Sequence, residues 1–188
     1  MKTNIALLIE QSVNVIDSLN KGLRLTPEEQ QFFCEHFERE EIKKNEFTIR
    51  IGDYEKYLYF IESGILRYWT AQEYGDPDKE ITFWFSFPGE FANSYFSLKE
   101  NQPSLIHIQA LTDCVIWKLS KLDLADLYQT SLNINKIARI VLEAALCRKI
   151  TRETLLLGSS AEAIYEDLIT KEKELINNIP LKYLASYI

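Results

Sequence analysis

Residues 57–69 read Tyr57-Leu58-Tyr59-Phe60-Ile61-Glu62-Ser63-Gly64-Ile65-Leu66-Arg67-Tyr68-Trp69. They contain two short runs of aromatic and aliphatic residues on either side of Glu-Ser-Gly. Runs of this composition favour β-strands, and a short connection that contains glycine is typical of a β-hairpin. The segment therefore predicts two neighbouring strands joined by a tight turn.

Similar strand-like runs continue on both sides of this segment. Upstream, residues 47–51 alternate between apolar and polar side chains, and Gly52-Asp53 follow as a turn. Downstream, residues 81–85, 105–110 and 115–119 form further runs. Many short strands with turn residues between them predict an antiparallel barrel or jelly roll. The expected fold class is α+β, an antiparallel β-roll flanked by helices.

Helical patterns precede and follow the β-rich region. Residues 5–19 carry apolar residues in helical register, and Thr26-Pro27-Glu28-Glu29 is a typical helix start. Residues 133–157 predict a helix of roughly 37 Å, which is too long for one small roll to cover. We therefore expect a homodimer through this helix, and packing on the roll alone is the alternative. The residues predicted to form the dimer contact are Ile134, Ile137, Ala138, Val141 and Ala145.

The segment Asn178–Ile188 predicts a short helix with Pro180 at its first position. Leu181, Leu184, Ala185 and Ile188 are spaced to form one buried face. One interpretation is the first helix of a helix-turn-helix, whose second helix would follow Ile188. The other is a helix that closes a small bundle with residues 164–176. In the first case the helix crosses the DNA backbone. We then expect Lys182, Tyr183 and Ser186 to contact phosphates.

Composition narrows the class of protein. The 188 residues are 46% hydrophobic, enough for a sizeable core, and no apolar run is long enough to span a membrane. Cys34, Cys114 and Cys147 are dispersed, which favours buried structural thiols in a reducing, cytoplasmic setting. The net charge of −7 is unevenly distributed along the chain. Residues 1–130 hold 13 basic and 21 acidic side chains, whereas residues 131–188 hold 8 basic and 7 acidic ones. The overall acidity therefore does not exclude DNA binding.

The sequence contains no motif that indicates catalysis. Its two histidines, His36 and His107, do not form the ligand cluster that a cupin metal site needs, and three scattered thiols are too few for an iron–sulfur cluster. His107 is more simply explained as a strand residue that faces solvent or is hydrogen-bonded. We therefore predict no enzyme activity, no catalytic residues, no metal and no cofactor.

Three motifs carry a family resemblance that covers nearly the whole chain. Phe87-Pro88-Gly89-Glu90-Phe91-Ala92, Ala110-Leu111-Thr112-Asp113-Cys114 and the closing run 179–187 resemble the CRP/FNR family of bacterial regulators, especially a Bacteroidetes-type subgroup. The resemblance implies a cyclic-nucleotide-binding-type sensor roll with N-terminal helices (1–130) and a dimerisation helix (131–157). It also implies the beginning of a winged-helix domain (158–188) that binds double-stranded DNA if the chain continues past Ile188.

The resemblance also implies where an effector would bind. Members that bind cyclic AMP use a glutamate after glycine for the ribose and an arginine for the cyclic phosphate. Glu90 matches the glutamate, or alternatively caps nearby backbone N–H groups, whereas Ser104 stands at the arginine position. Losing such a charge-assisted contact costs roughly two decades in affinity. We therefore expect an unknown effector other than cyclic AMP, or a roll whose interior is filled. The pocket candidates are Gly89, Glu90, Phe91, Ala92, Ser104 and Leu105.

Overall fold

The computed structural model describes residues 4–16, 22–71, 79–171 and 178–188. The helices are α1 (Ile5–Ile16), α2 (Pro27–His36), α3 (Tyr95–Glu100), α4 (Lys121–Thr130), α5 (Leu132–Gly158), α6 (Ala161–Lys171) and α7 (Leu181–Tyr187). The strands are β1 (Glu38–Ile42), β2 (Phe47–Ile49), β3 (Tyr57–Ser63), β4 (Leu66–Ala71), β5 (Glu80–Ser86), β6 (Phe91–Ala92), β7 (His107–Ala110) and β8 (Cys114–Ser120).

The strands form two four-stranded antiparallel sheets, in the orders β1-β8-β3-β6 and β2-β7-β4-β5. Strand alternation points one side of each sheet inward, where the aliphatic and tyrosine side chains meet. The predicted antiparallel roll and the α+β class are confirmed. The residues of this inner core are Ile42, Ile49, Tyr59, Ile61, Leu66, Tyr68, Ala92, Ile108, Ala110, Cys114 and Ile116.

The predicted hairpin between β3 and β4 is wrong. β3 pairs with β6 and β8, while β4 pairs with β5 and β7, so Gly64 connects two different sheets. Gly64 has a φ of +93°, and a Cβ built on it would lie 2.4 Å from Cys114 Sγ. The glycine is thus required by a close crossing of the chain over β8.

The helices form a second layer on the outer side of the β1-β8-β3-β6 sheet. Side chains of α1, α2, α4 and α5 pack there against Phe60 and Leu119. The predicted start of α2 is confirmed: Thr26 accepts a hydrogen bond from the Glu29 N–H, and the Glu29 side chain accepts one from the Thr26 N–H. α5 has 27 residues, close to the predicted 133–157.

The cysteine prediction holds for one residue of three. Cys114 is buried in the roll, but Cys34 and Cys147 are exposed on helices. Cys34 lies on α2 with its Sγ 3.8 Å from Asn4 Oδ1, and Cys147 lies on α5 beside Leu146, which is itself exposed.

The C-terminal helices pack on one end of the roll. Ile164 and Leu168 of α6 and Leu184 and Tyr187 of α7 form a cluster that also contains Phe85. The predicted buried face of α7 is wrong for Leu181 and Ala185, which are exposed, because α7 turns Leu184 and Tyr187 towards the roll. The helix-turn-helix assignment remains a prediction, since residues 172–177 lie outside the described residues. Within the described ranges, no helix has the length and apolar character needed to cross a membrane.

Candidate effector site and C-terminal helix

Glu90 lies in the turn between β5 and β6. Its Oε2 accepts a hydrogen bond from the Phe87 N–H at 3.1 Å, and its Oε1 accepts one from Arg148 of α5 at 3.0 Å. Burial raises the pKa of this carboxyl, although the Arg148 guanidinium and the hydrogen bonds act in the opposite direction. Gly89 allows the turn with a φ of +86°. Glu90 thus caps a backbone N–H, as one of the two interpretations predicted, and it also ties the turn to α5.

Ser104 belongs to a buried polar cluster rather than to an open phosphate site. Its hydroxyl lies 2.9 Å from the Ser94 hydroxyl and donates to the Ile106 carbonyl at 2.8 Å. Glu55, 4% exposed, accepts hydrogen bonds from the N–H groups of Ser94, Lys56 and Tyr57, and burial raises its pKa. The hydroxyl that replaces the expected arginine is therefore already hydrogen-bonded inside the protein, and its partner Ser94 is in turn bonded to the acid Glu55.

The interior of the roll is largely occupied by its own side chains. Tyr59 and Tyr68 reach into the space between the sheets, and Tyr68 accepts a hydrogen bond from Ser86 at 3.2 Å. Burial raises the pKa of both phenols, so they remain neutral. Ala92 lies in the same core.

An open apolar cavity of about 780 Å³ lies between the roll, α3, α4 and one face of α5. Two of the pocket candidates, Phe91 and Leu105, line it. The lining also includes Phe83 and Trp84 of β5, Tyr95 and Phe96 of α3, and Tyr128 of α4. On the α5 side it includes Ala138, Val141, Leu142, Ala145, Leu146 and Leu156. The structure therefore places the six candidates in three environments: the cavity (Phe91, Leu105), the α5-linked turn (Gly89, Glu90) and buried packing (Ala92, Ser104).

The residues of α5 predicted to form the dimer contact fall into two groups. Ile134 and Ile137 are 4% and 5% exposed and pack in the chain's own helix–sheet core, so they leave no surface for a partner. All five residues line the cavity, but only Ala138, Val141 and Ala145 keep partly or fully exposed surface there. The prediction is therefore corrected for Ile134 and Ile137, because α1 and the sheet cover the first turns of α5.

The three candidates for DNA contact have different surroundings. Lys182 is exposed, with its Nζ 4.6 Å from the centroid of the Tyr183 ring. Tyr183 covers the guanidinium of Arg67 at 3.9 Å. The Ser186 hydroxyl accepts a hydrogen bond from the Thr82 N–H and donates one to the Glu80 carbonyl, both at 2.8 Å. Tyr183 and Ser186 thus face the roll.

Sequence reasoning missed the arginines that join these parts. Arg148 pairs with Glu90 and stacks on Trp84 of β5 at 4.3 Å, and Arg152 donates to the Tyr187 carbonyl. Both arginines follow Val141 at helical spacings of seven and eleven residues, so they continue the stripe that faces the roll. The sequence signal that could have identified them is that these two polar residues continue the apolar stripe of α5.

Residues 39–131 match the family model of the cyclic nucleotide-binding domain. This range contains β2 to β8, α3, α4 and all of β1 except Glu38. No curated protein gives a significant match by sequence.

Solved structures share the fold. A protein from Eubacterium rectale assigned to the crp/fnr family superposes with a TM-score of 0.70 at 14% identity, over 87% of this chain and 76% of that one. The c-di-GMP-responsive global regulator CLP from Xanthomonas campestris gives 0.62 at 22% identity, over 77% and 72%. The catabolite activator protein of Thermus thermophilus gives 0.56 at 24% identity, over 71% of this chain and 59% of that one, so this chain spans less than two thirds of its length.

The sequence match and the fold lead to one assignment. Residues 39–131 carry a cyclic nucleotide-binding-type domain, and the fold of the chain is the one seen in solved CRP/FNR-type regulators.

Proposed function

We propose that the protein is a cytoplasmic transcription regulator. In this proposal the roll senses a small-molecule effector other than cyclic AMP and thereby controls DNA binding by a homodimer. The observation that carries the proposal is the exposed apolar face of α5 beside the roll. Leu142 and Leu146 are 42% and 57% exposed there, and the aromatic cavity continues their surface onto the roll. Contiguous apolar surface of this kind marks an interaction site.

A second copy of α5 fits this face. Ala138, Leu142, Ala145 and Lys149 are spaced by four, three and four residues, which is the repeat of a coiled-coil seam. All four line the cavity. A dimer through α5 would place Phe91 and Leu105 on one side of the cavity and the partner helix on the other, so an effector there would act on the dimer directly.

The chemistry of the roll argues against cyclic AMP. Ser104 supplies no positive charge, and its hydroxyl is held by Ser94 and Ile106. Arg148, which lies near the turn, is paired with Glu90. A cyclic phosphate would therefore need a cation that the described residues of this site do not offer.

Cyclic AMP is expected to leave the melting temperature unchanged at 1 mM. A ligand with a dissociation constant near 10 μM would add about 2.7 kcal/mol at that concentration, because it binds the folded state alone. Differential scanning fluorimetry with cyclic AMP, cyclic GMP and AMP as a non-cyclic control measures this. A rise in melting temperature that saturates at micromolar cyclic AMP would contradict the assignment of the Ser104 site.

The contacts of Tyr183 and Ser186 favour a second candidate function. Tyr183 and Ser186 are half-buried and contact the roll. This arrangement suits a dimerising sensor or interaction module that does not bind DNA by itself.

Duplex binding by the full-length product of the native gene separates the two functions. Selection from a random duplex pool, followed by fluorescence anisotropy at several salt concentrations, is expected to enrich a two-fold symmetric sequence. The logarithm of its affinity should fall linearly with the logarithm of salt, as phosphate contacts require. No enrichment and no salt-dependent binding would leave the interaction module as the function.

A further inference from the structure

α7 is held against the edge of the roll by polar contacts. β5 is the outermost strand of its sheet, so it has unpaired backbone groups on its free side. The Ser186 hydroxyl bonds two of them, the Thr82 N–H and the Glu80 carbonyl. One serine therefore occupies the position that a neighbouring strand would take.

Arg67 is the centre of the contact between α7 and the roll. Its side chain is fully buried, its Nε donates to Thr82 Oγ1 at 2.8 Å, and its Nη1 donates to Glu80 at 2.6 Å. The Tyr183 ring covers the guanidinium at 3.9 Å. Tyr187 adds an edge-to-face contact with Phe85 at 5.1 Å.

The burial of Arg67 makes this contact specific but easy to open. Its Nη2 has no hydrogen-bond partner among the described residues, and its one charged partner, Glu80, is 42% exposed. A buried guanidinium with incomplete partners pays a desolvation penalty, which disappears when water reaches it. Undocking α7 would hydrate Arg67, so hydration of the arginine offsets part of the contact energy that is lost.

We propose that Arg67, Tyr183 and Ser186 form a releasable lock that holds α7 on strand β5. In the locked state the ring of Tyr183 and the hydroxyl of Ser186 are occupied by the roll. Release frees both side chains on the helix that already carries the exposed Lys182. The lock stands on these contacts alone, and it rests on the proposed function only where DNA is taken as the partner of the released helix.

Hydrogen–deuterium exchange of the full chain tests the lock without DNA. Arg67→Met keeps an apolar side chain of similar length under Tyr183, and Ser186→Ala removes only the bonds to β5. Both variants are expected to speed exchange in α7, including the Leu184 and Ile188 amides, at least tenfold, while the β3 and β8 amides keep their rates. Arg50→Met is the matched control, because Arg50 stacks on Phe47 at 3.6 Å in the same cation–ring manner away from α7.

Each outcome of the exchange experiment decides the proposal. Faster exchange confined to α7 in Arg67→Met and Ser186→Ala, but not in Arg50→Met, supports the lock. Unchanged α7 exchange in both lock variants overturns it. Faster exchange throughout the roll in both variants also overturns it, because Arg67 and Ser186 would then support the roll itself. Duplex affinity of the full-length Arg67→Met variant is a separate readout: an α7 release without a gain in affinity keeps the lock and counts against the DNA-binding function.

Discussion

Replacing both Leu142 and Leu146 with glutamate is expected to convert the proposed dimer into a monomer. The change places two carboxylates from each protomer on the exposed face of α5, so they meet in pairs across a two-fold axis. Burying such charges without partners should raise the dimer dissociation constant at least ~100-fold, or about 2.7 kcal/mol. Analytical ultracentrifugation over a range of protein concentrations measures the constant.

The control for this change is Cys147→Glu on the same helix. Cys147 is exposed and lies two residues after Ala145, which puts it on the opposite side of α5. The variant should remain dimeric with an unchanged melting temperature. A leucine variant that stays dimeric, or a Cys147 variant that dissociates equally, would contradict the assignment of the dimer face.

Gly64→Ala is expected to destabilise the protein by about 3–5 kcal/mol. An alanine Cβ would lie 2.4 Å from Cys114 Sγ and 2.6 Å from the Asp113 carbonyl oxygen, and the φ of +93° adds backbone strain. At roughly 2–4 °C per kcal/mol for a chain of this size, the melting temperature should fall by about 6–20 °C. Thermal and urea unfolding followed by circular dichroism measure both quantities.

Gly52→Ala separates the two causes of this loss. Gly52 has a φ of +90°, but no atom lies within 4 Å of a Cβ built there. This control carries the backbone strain without the clash, so it should lose only about 1–2 kcal/mol. Equal losses in the two variants would show that the close crossing at Gly64 does not control stability.

The sequence was sufficient to predict the strands and helices whose apolar residues follow a clear pattern. The two apolar runs within Tyr57–Trp69 and the stripe of α5 predicted their elements closely. The same pattern failed for the connection at Gly64, because a hairpin and a crossing between sheets use the same local residues. Only the pairing of β3 with β8 and of β4 with β7 distinguishes them, and those contacts are distant in sequence.

β1 and α3 show a second limit of prediction from the sequence. β1 has the sequence Glu-Arg-Glu-Glu-Ile, which has low strand propensity, and it forms because it pairs along β8. α3 contains only six residues and has no side-chain cap hydrogen bond, so it lacks the signals of a helix start. In both cases tertiary contacts decide the local structure.

The candidate site was predictable where the family motif was intact. The Glu90 turn and the missing cation at Ser104 followed from the motif, and the structure shows both residues hydrogen-bonded within the chain. The roles of Arg148 and Arg67 did not follow, because each acts on a residue far away in sequence. Helical spacing identifies the face on which Arg148 lies but does not identify Glu90 as its partner.

Genome-wide occupancy of the full-length protein in the cells that make it tests the central claim most directly. Chromatin immunoprecipitation is expected to give discrete peaks that share a two-fold symmetric sequence, and the Leu142/Leu146 double glutamate variant should lose them. Occupancy indistinguishable from an untagged control, with the protein folded and dimeric, would contradict a transcription regulator.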